Sequence, residues 1–274
     1  MSSGATWRLL ETGDAPGSFN LALDEALFLL AGEGRSRPTV RFYGWSPPAL
    51  SVGYFQSWNK SIDEDACRAR GVDIVRRITG GRAVLHRDEV TYSVSCGRSG
   101  DFFGEGLWPA YRKIGLALAA GLRRLGVKVD LVRPGPRGER SPGRHPSCFS
   151  SSVGFEISSQ GRKLVGSAQK RGGGAILQHG SILLLGHGEE FGGLLKPGYR
   201  RAPASMASLG DIMGSPPSRH AVVEALAEGF REVWSGGLSP GEVTEEERRL
   251  AKRLEDSKYL SRDWNGPSRR GRFA

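Results

Sequence analysis

The sequence predicts an α+β fold. Helix and strand periodicities alternate in the first half of the chain. Three strand-like runs separated by tight-turn residues then form a meander between 152 and 185, and mostly helical patterning follows. The chain has 274 residues, enough for one large domain or two small ones. No internal repeat or composition break divides it. A single domain over 1–265 is expected, with a basic tail, SRRGRFA, within 266–274.

Apolar residues recur at near-helical spacing over 18–30, which predicts the first helix. Within it Asp24 and Glu25 are read as a solvated face. Residues 39–43 alternate as a strand and 49–54 suggest another, with GWSPP turning the chain between them. Ser61 to Glu64 reads as a capping box opening a helix that ends near Gly71. Strands are expected over 72–77 and 82–95, the second interrupted near 87–89. An amphipathic helix over 108–125 stops at Gly126, and 127–132 returns as strand. Residues 133–147 form a long Pro/Gly/Arg loop without periodicity. Strands at 152–158, 162–169 and 175–185 are separated by SSQG and GGG turns. Helices follow at 219–234 and, from a second capping box at Thr244–Glu247, to about Leu254.

Composition narrows the function classes. Hydrophobic residues make up 38% and charged residues 25%, as in ordinary globular proteins. No run approaches about 18 apolar residues, so no membrane span is expected. The first 17 residues lack a basic region followed by an apolar stretch, so no signal peptide is expected. Cys67, Cys96 and Cys148 form no CxxC pair, and the five histidines form no HExxH or HxxxH pair. No metal, no cofactor and no disulfide framework is expected, and a reducing cytoplasm fits the cysteine usage. The net charge of +10 calls for an acidic partner, a membrane surface or nucleic acid. No nucleic-acid motif is present. Part of the charge is concentrated at Arg133, Arg137, Arg140 and Arg144.

Two segments carry chemistry. Cys148 follows the arginine loop, and Lys163 opens the strand-like run after SSQG. A thiol with a neighbouring cation ionises more readily than its usual pKa of about 8.5 allows. A thiolate can take an acyl group from a thioester and pass it to an amine. Read without that chemistry, the same residues are a buried structural cysteine and a solvated lysine. Cys67 and Cys96 are read as structural. The second segment is Arg76-Arg77-Ile78-Thr79-Gly80-Gly81-Arg82, ending at His86. Gly80-Gly81 reads as a hairpin turn between strands, or as a place where a ligand approaches the backbone closely. Arg76 and Arg77 would supply charge for a phosphate or carboxylate.

The order and spacing of RRITGGRAVLHRDEVTYSVS, SCFSSSVGFEI, GRKLVGSAQKR and ILQHGSILL resemble the biotin/lipoate protein ligase superfamily. Within it they look most like octanoyl-[acyl carrier protein]:protein N-octanoyltransferases of the lipoate-ligase-like cysteine subgroup. The resemblance runs from about Trp7 to at least Leu185, and KYLSRDWNG resembles the end of the family's domain. It implies a mixed, largely antiparallel sheet flanked by helices, related to the class II tRNA synthetase core. It implies Cys148 as nucleophile and Lys163 as its catalytic partner. Arg76, Arg77, Thr79, Gly80, Gly81, His86, Gly166, Ser167, Ala168, Gln169, Gln178, His179 and Gly180 are the substrate-binding candidates. Gln178 and His179 are candidates to orient substrate, against a reading of His179 as a strand residue with local partners.

ATP-dependent lipoate ligases of the superfamily usually read RRxSGGGAVYHDxGNLN in the first motif. Here Arg82 replaces a glycine and the GNLN element is absent. Classical octanoyltransferases carry the nucleophile later, and no cysteine lies beyond Cys148. The resemblance therefore implies transfer from octanoyl-acyl carrier protein through a Cys148 thioester. The acceptor is the lysine of a lipoyl-domain protein, such as the glycine cleavage H protein or the E2 of a 2-oxoacid dehydrogenase. No nucleic-acid or membrane partner is expected, and the chain is expected to be a monomer. The alternatives are an ATP-dependent lipoate ligase and a non-catalytic acyl- or cofactor-binding protein. A simple hairpin around SSQG would pair Lys163 with a residue near Ile157, so the sequence does not itself bring Lys163 to Cys148.

Overall fold

A computed structural model describes residues 6–97, 107–132, 156–200, 207–234 and 237–266. The first strand, β1 (Trp7–Ala15), was not anticipated from periodicity. It leads through Pro16 into helix α1 (Gly17–Gly32). Thirteen of its 16 residues are buried, as expected of a helix apolar on nearly all sides. Strands β2 (Thr39–Trp45) and β3 (Ala49–Val52) follow, then helix α2 (Glu64–Ala69). The cap of α2 is Asp63, whose carboxylate accepts from the Ala66 amide at 3.0 Å. Ser61 is not that cap; it is buried one turn earlier.

Strands β4 (Asp73–Arg76), β5 (Val84–His86) and β6 (Glu89–Gly97) come next. The expected break lies at Asp88, whose φ of 45° turns the chain out of β5 and into β6. Helix α3 (Leu107–Arg124) and strand β7 (Asp130–Val132) precede the meander β8 (Glu156–Ser159), β9 (Arg162–Gly172) and β10 (Ala175–Leu183). The β8–β9 hairpin turns at Gln160-Gly161, with φ of 52° and 72°. Both central residues of a type I′ turn need positive φ, which SSQG supplies through its glycine. The remaining elements are α4 (Gly188–Gly193), α5 (Leu209–Met213), α6 (Arg219–Val233), β11 (Leu238–Pro240), α7 (Glu245–Leu254) and α8 (Arg262–Asn265). Both hydrogen bonds of the Thr244–Glu247 capping box are present at the start of α7. The loop expected over 133–147, the start of the strand at 152 and the tail beyond Gly266 lie outside the described residues.

Eight strands form one sheet in the order β11-β1-β2-β6-β10-β9-β8-β7, and three form a smaller one, β4-β3-β5. In the large sheet β1 pairs in parallel with β11 and β2, and every other pairing is antiparallel. The sheet is mixed and largely antiparallel. Side chains alternate across it. Val90, Tyr92, Val94 and Cys96 of β6 join a core with Ile114 and Leu118 of α3 and with Leu226 and Phe230 of α6. The other face of β6 and β10 packs on α1 and turns towards the small sheet. Among the described residues no helix is long and apolar enough to cross a membrane.

One topological feature positions the site. Strand β3 lies between β4 and β5, parallel to the first and antiparallel to the second. Gly80-Gly81 therefore belongs to a crossover, not to a hairpin between paired strands. The turn after β3 packs directly on this crossover: a Cβ at Gly53 would sit 2.0 Å from the Gly81 carbonyl oxygen.

Candidate active site

A narrow cleft opens between the small sheet and the α1-facing side of the large one. Leu21, Tyr43, Trp45 and Val84 provide its apolar surface. Gly166, Ser167 and Ala168 of β9 form one wall, and His179, Gly180 and Ser181 of β10 continue it. Ser51 and His86 face it from the small sheet, with Arg77 and Thr91. The lining, mostly apolar with a few polar groups, suits the apolar part and polar head of a small ligand.

Two buried imidazoles are held in this cleft by similar relays. His86 Nδ1 lies 2.8 Å from Glu89 Oε1, and its Nε2 lies 2.7 Å from Ser51 Oγ. Glu89 also accepts from Thr91 and Ser181. Burial opposes ionisation of Glu89, but His86 and the two hydroxyls outweigh it and hold the carboxyl below its ordinary 4.5. An ionised Glu89 places the proton on His86 Nδ1, and Nε2 then accepts from Ser51. Trp45 stacks on the ring at 3.9 Å between centroids and 11° between planes. Trp45 Nε1 in turn donates to Thr91 Oγ1 at 2.7 Å, which fixes both rings.

The second relay runs from Thr79 Oγ1, 2.7 Å from His179 Nε2, through His179 Nδ1 to Asp24 Oδ2 at 3.0 Å. Asp24 also accepts from Arg41 Nη1 at 2.9 Å, Tyr43 Oη at 2.9 Å and Ser93 Oγ at 2.8 Å. Burial again opposes the charge, and the His179 hydrogen bond, Arg41 and Ser93 hold the carboxyl below its ordinary 3.8. Tyr43 moves the other way: burial, then the Asp24 charge, pushes its phenol well above 10.

Asp24 and Glu25 thus correct the reading of a solvated helix face. They are 1% and 8% exposed. Glu25 accepts from Tyr259 Oη at 2.6 Å and from Lys258 Nζ at 2.7 Å. The signal was present in the sequence: two carboxylates inside the apolar run LALDEALFLL need buried partners.

Arg76 is fully buried and donates to the carbonyls of Gly53, Tyr54, Gln56, Trp264 and Gly266. Its guanidinium ties the C-terminal segment to the turn after β3, a structural task in place of the expected contact with a phosphate or carboxylate. Arg77 donates to the carbonyls of Ser51, Gly80 and Arg82, which shapes the glycine crossover, and to Ser51 Oγ at 3.0 Å. Gly80 and Gly81 adjoin the cleft through that crossover and are not part of its lining. Thr79 lies behind His179.

Register divides the remaining candidates between two faces. Ala168 pairs with His179 and Gly166 with Ser181, on the cleft side. Gln169 pairs with Gln178 and Ser167 with Gly180, and the side chains of Gln169, Gln178 and Ser167 point to the α3 side. There Ser167 Oγ meets Tyr92 Oη at 2.7 Å, Gln178 Nε2 donates to that phenol at 3.0 Å, and Gln169 Nε2 donates to Gln178 Oε1 at 2.9 Å. Gln169 Oε1 is buried without a hydrogen-bond partner. The alternation breaks at Leu164, where the β8–β9 register shifts and Leu164 joins Ile157 and Val165 in the α3-side core, so Lys163, paired with Ser158, lies on the opposite face. Its ammonium lies 2.5 Å from Glu156 Oε1, a partner the sequence reading missed. The β8–β9 register pairs Ser158 with Lys163, one residue from the expected Ile157. Cys148 and the four loop arginines lie outside the described residues. Cys67 and Cys96 are buried, and burial, then Asp63, pushes the Cys67 thiol up to about 12.

A cleft between two sheets, with an apolar lining and two oriented imidazoles, defines a small-molecule site on an α+β fold. The sequence comparisons identify it: the model of the "Lipoyl protein ligase A/B catalytic domain" matches residues 16–231. The chain belongs to that family. It is 46% identical over 270 residues to an "Octanoyltransferase LipM" of Kyrpidia tusciae, covering 95% of this chain and 98% of the relative. A protein of the same name from Moorella thermoacetica is 42% identical, covering 94% and 97%. Among solved structures, a lipoate-protein ligase A bound with ATP is similar with a TM-score of 0.76 and 28% identity, covering 96% of this chain and 98% of that one.

Proposed function

We propose that this chain is an octanoyltransferase of lipoate assembly that works through a Cys148 thioester. It takes the octanoyl group from octanoyl-acyl carrier protein and gives it to the lysine of a lipoyl domain. Acceptors of this kind include the glycine cleavage H protein and the E2 of 2-oxoacid dehydrogenases. The reading is carried by the near-complete coverage of relatives named octanoyltransferase, on a chain whose cleft suits an acyl chain. Thiol exchange onto Cys148 forms one thioester as another breaks and is nearly neutral in free energy. Attack by the acceptor amine then forms an amide, releases the Cys148 thiolate and runs downhill. Neither step requires a nucleotide. Lys163 supports the thiolate, and His86 and His179 position the acyl head group in the cleft. The enzyme acts as a monomer in the cytoplasm, with one catalytic domain over 1–265 and a basic tail over 266–274.

The test is labelling with octanoyl-acyl carrier protein in the absence of nucleotide, followed by intact and peptide mass measurement. An octanoyl mass on Cys148 is expected, with labelling and transfer both lost in Cys148→Ala. Cys67→Ala and Cys96→Ala should retain most transfer, since both thiols are buried. Full transfer by Cys148→Ala would remove the covalent route, and transfer only with ATP and free octanoate would make the protein a ligase.

A further inference from the structure

The relay around His86 has the parts of an activated hydroxyl nucleophile, whereas the thiol route uses His86 only to position the acyl head group. Ser51 and His86 sit on neighbouring antiparallel strands in diagonal register, since Ser51 pairs with Val84 and Ala49 with His86. Their side chains therefore share one face, which is the face lining the cleft. Ser51 Oγ is 2.7 Å from His86 Nε2, and His86 Nδ1 is 2.8 Å from the Glu89 carboxylate. Hydroxyl, base and orienting carboxylate thus stand in hydrogen-bond succession, the arrangement by which a serine is activated on unrelated folds. Arg77 Nη1, 3.0 Å from Ser51 Oγ, adds a fixed positive charge where an alkoxide would develop. The Trp45 stack prevents the imidazole from turning away.

We propose that Ser51 is a second acyl-accepting nucleophile in this cleft and gives the protein a hydrolase activity towards medium-chain acyl thioesters and esters. Ser51 Oγ attacks the acyl carbonyl and its proton passes to His86 Nε2. The carbon–sulfur bond breaks, and the departing thiolate takes the proton from His86 to leave as a thiol. Water then attacks the acyl-serine with His86 as base. Free fatty acid departs and the Ser51 hydroxyl is restored. The inference rests on the cleft being an acyl site but does not involve Cys148.

The experiment uses full-length Cys148→Ala protein, so that the thiol route is absent. Octanoyl-pantetheine and p-nitrophenyl octanoate are supplied, and thiol or nitrophenolate release is followed. Hydrolysis above the buffer rate is expected, falling at least about tenfold when Ser51→Ala is added. A fluorophosphonate probe should label Ser51 in the Cys148→Ala protein, read by peptide mass. That arm keeps the native serine and so does not depend on whether Ser51→Ala folds. Hydrolysis no faster than buffer, or a probe-treated protein without an adduct on Ser51, overturns the proposal. Octanoyl transfer by the unaltered protein is measured in parallel. Its persistence shows that only the Ser51 inference has failed, and its loss traces the failure to the acyl-site reading.

Discussion

At the scale of single residues, the decisive pair is Lys163 with Glu156. A lysine that stabilises a thiolate contributes its positive field, and a carboxylate 2.5 Å away offsets part of it. Both side chains are largely buried, at 10% and 15% exposure, so the offset is not screened away as it would be in water. Under the proposed mechanism, Lys163→Met should slow transfer at least about tenfold, which is about 1.4 kcal/mol of barrier. It should also shift Cys148 alkylation to higher pH. Glu156→Gln should shift alkylation the other way, because it removes a carboxylate that offsets the ammonium's field. The rate of iodoacetamide reaction against pH reads both variants. Two unchanged profiles would confine Lys163 to its ion pair.

Between elements, α3 and α6 approach closely. Gly121 and Gly229 let their backbones meet: a Cβ at Gly229 would lie 2.3 Å from the Ala117 carbonyl oxygen and from the Gly121 nitrogen. No side-chain rearrangement relieves a clash with backbone, so the helices must separate. They carry Ile114, Leu118, Leu226 and Phe230 into the main core. Gly229→Val should therefore destabilise the protein by at least about 1–3 kcal/mol, the usual cost of overpacking. The denaturant midpoint measures this, and an unchanged midpoint would mean that the crossing is looser than described. A second inter-element tie, Arg8 of β1 to Glu247 of α7, is bidentate at 2.6 and 3.1 Å and almost fully buried. It fixes α7 to β1, the strand next to the edge strand β11 of the large sheet.

For the molecule as a whole, two charge effects follow. Asp24 and Glu89 are each held below their ordinary values of 3.8 and 4.5 in the native state. Below those values the unfolded chain binds the two protons that the native state resists. Their stabilisation is thus fully present above about pH 5 and is lost as acidification passes 4.5, then 3.8, towards the native pKa values. The urea midpoint should fall over that range, and Asp24→Asn with Glu89→Gln should flatten the dependence while lowering stability near neutrality. A midpoint insensitive to pH between 6 and 3 would contradict the assignment of ionised carboxylates. The second effect concerns partners. Under the proposed mechanism, the net charge of +10, with Arg133, Arg137, Arg140 and Arg144 preceding Cys148 in sequence, would suit an acidic donor protein. Exposed pairs contribute little individually but jointly accelerate encounter. Changing all four to serine should lower kcat/KM for octanoyl-acyl carrier protein and flatten its salt dependence, leaving a small octanoyl thioester almost unaffected. Equal loss with both donors would place the loop in site formation instead of docking.

Local sequence by itself determined the helix over α1, the amphipathic α3 and α6, the SSQG turn and the Thr244 capping box, because each depends on residues within one or two turns of chain. The ordered motifs also determined the family. What only the tertiary structure decided was partnership across distance. The Asp24–His179 contact spans 155 residues and the Arg76 contacts to Trp264 span 188. Insertion of β3 between β4 and β5 turned an apparent glycine hairpin into a crossover, and strand register sent His179 and Gln178 to opposite faces. A charged residue in an apolar segment announces that it needs a buried partner. Which residue answers is set by the packing of sheets and helices, because the desolvation cost is offset only by a donor that the fold delivers from elsewhere.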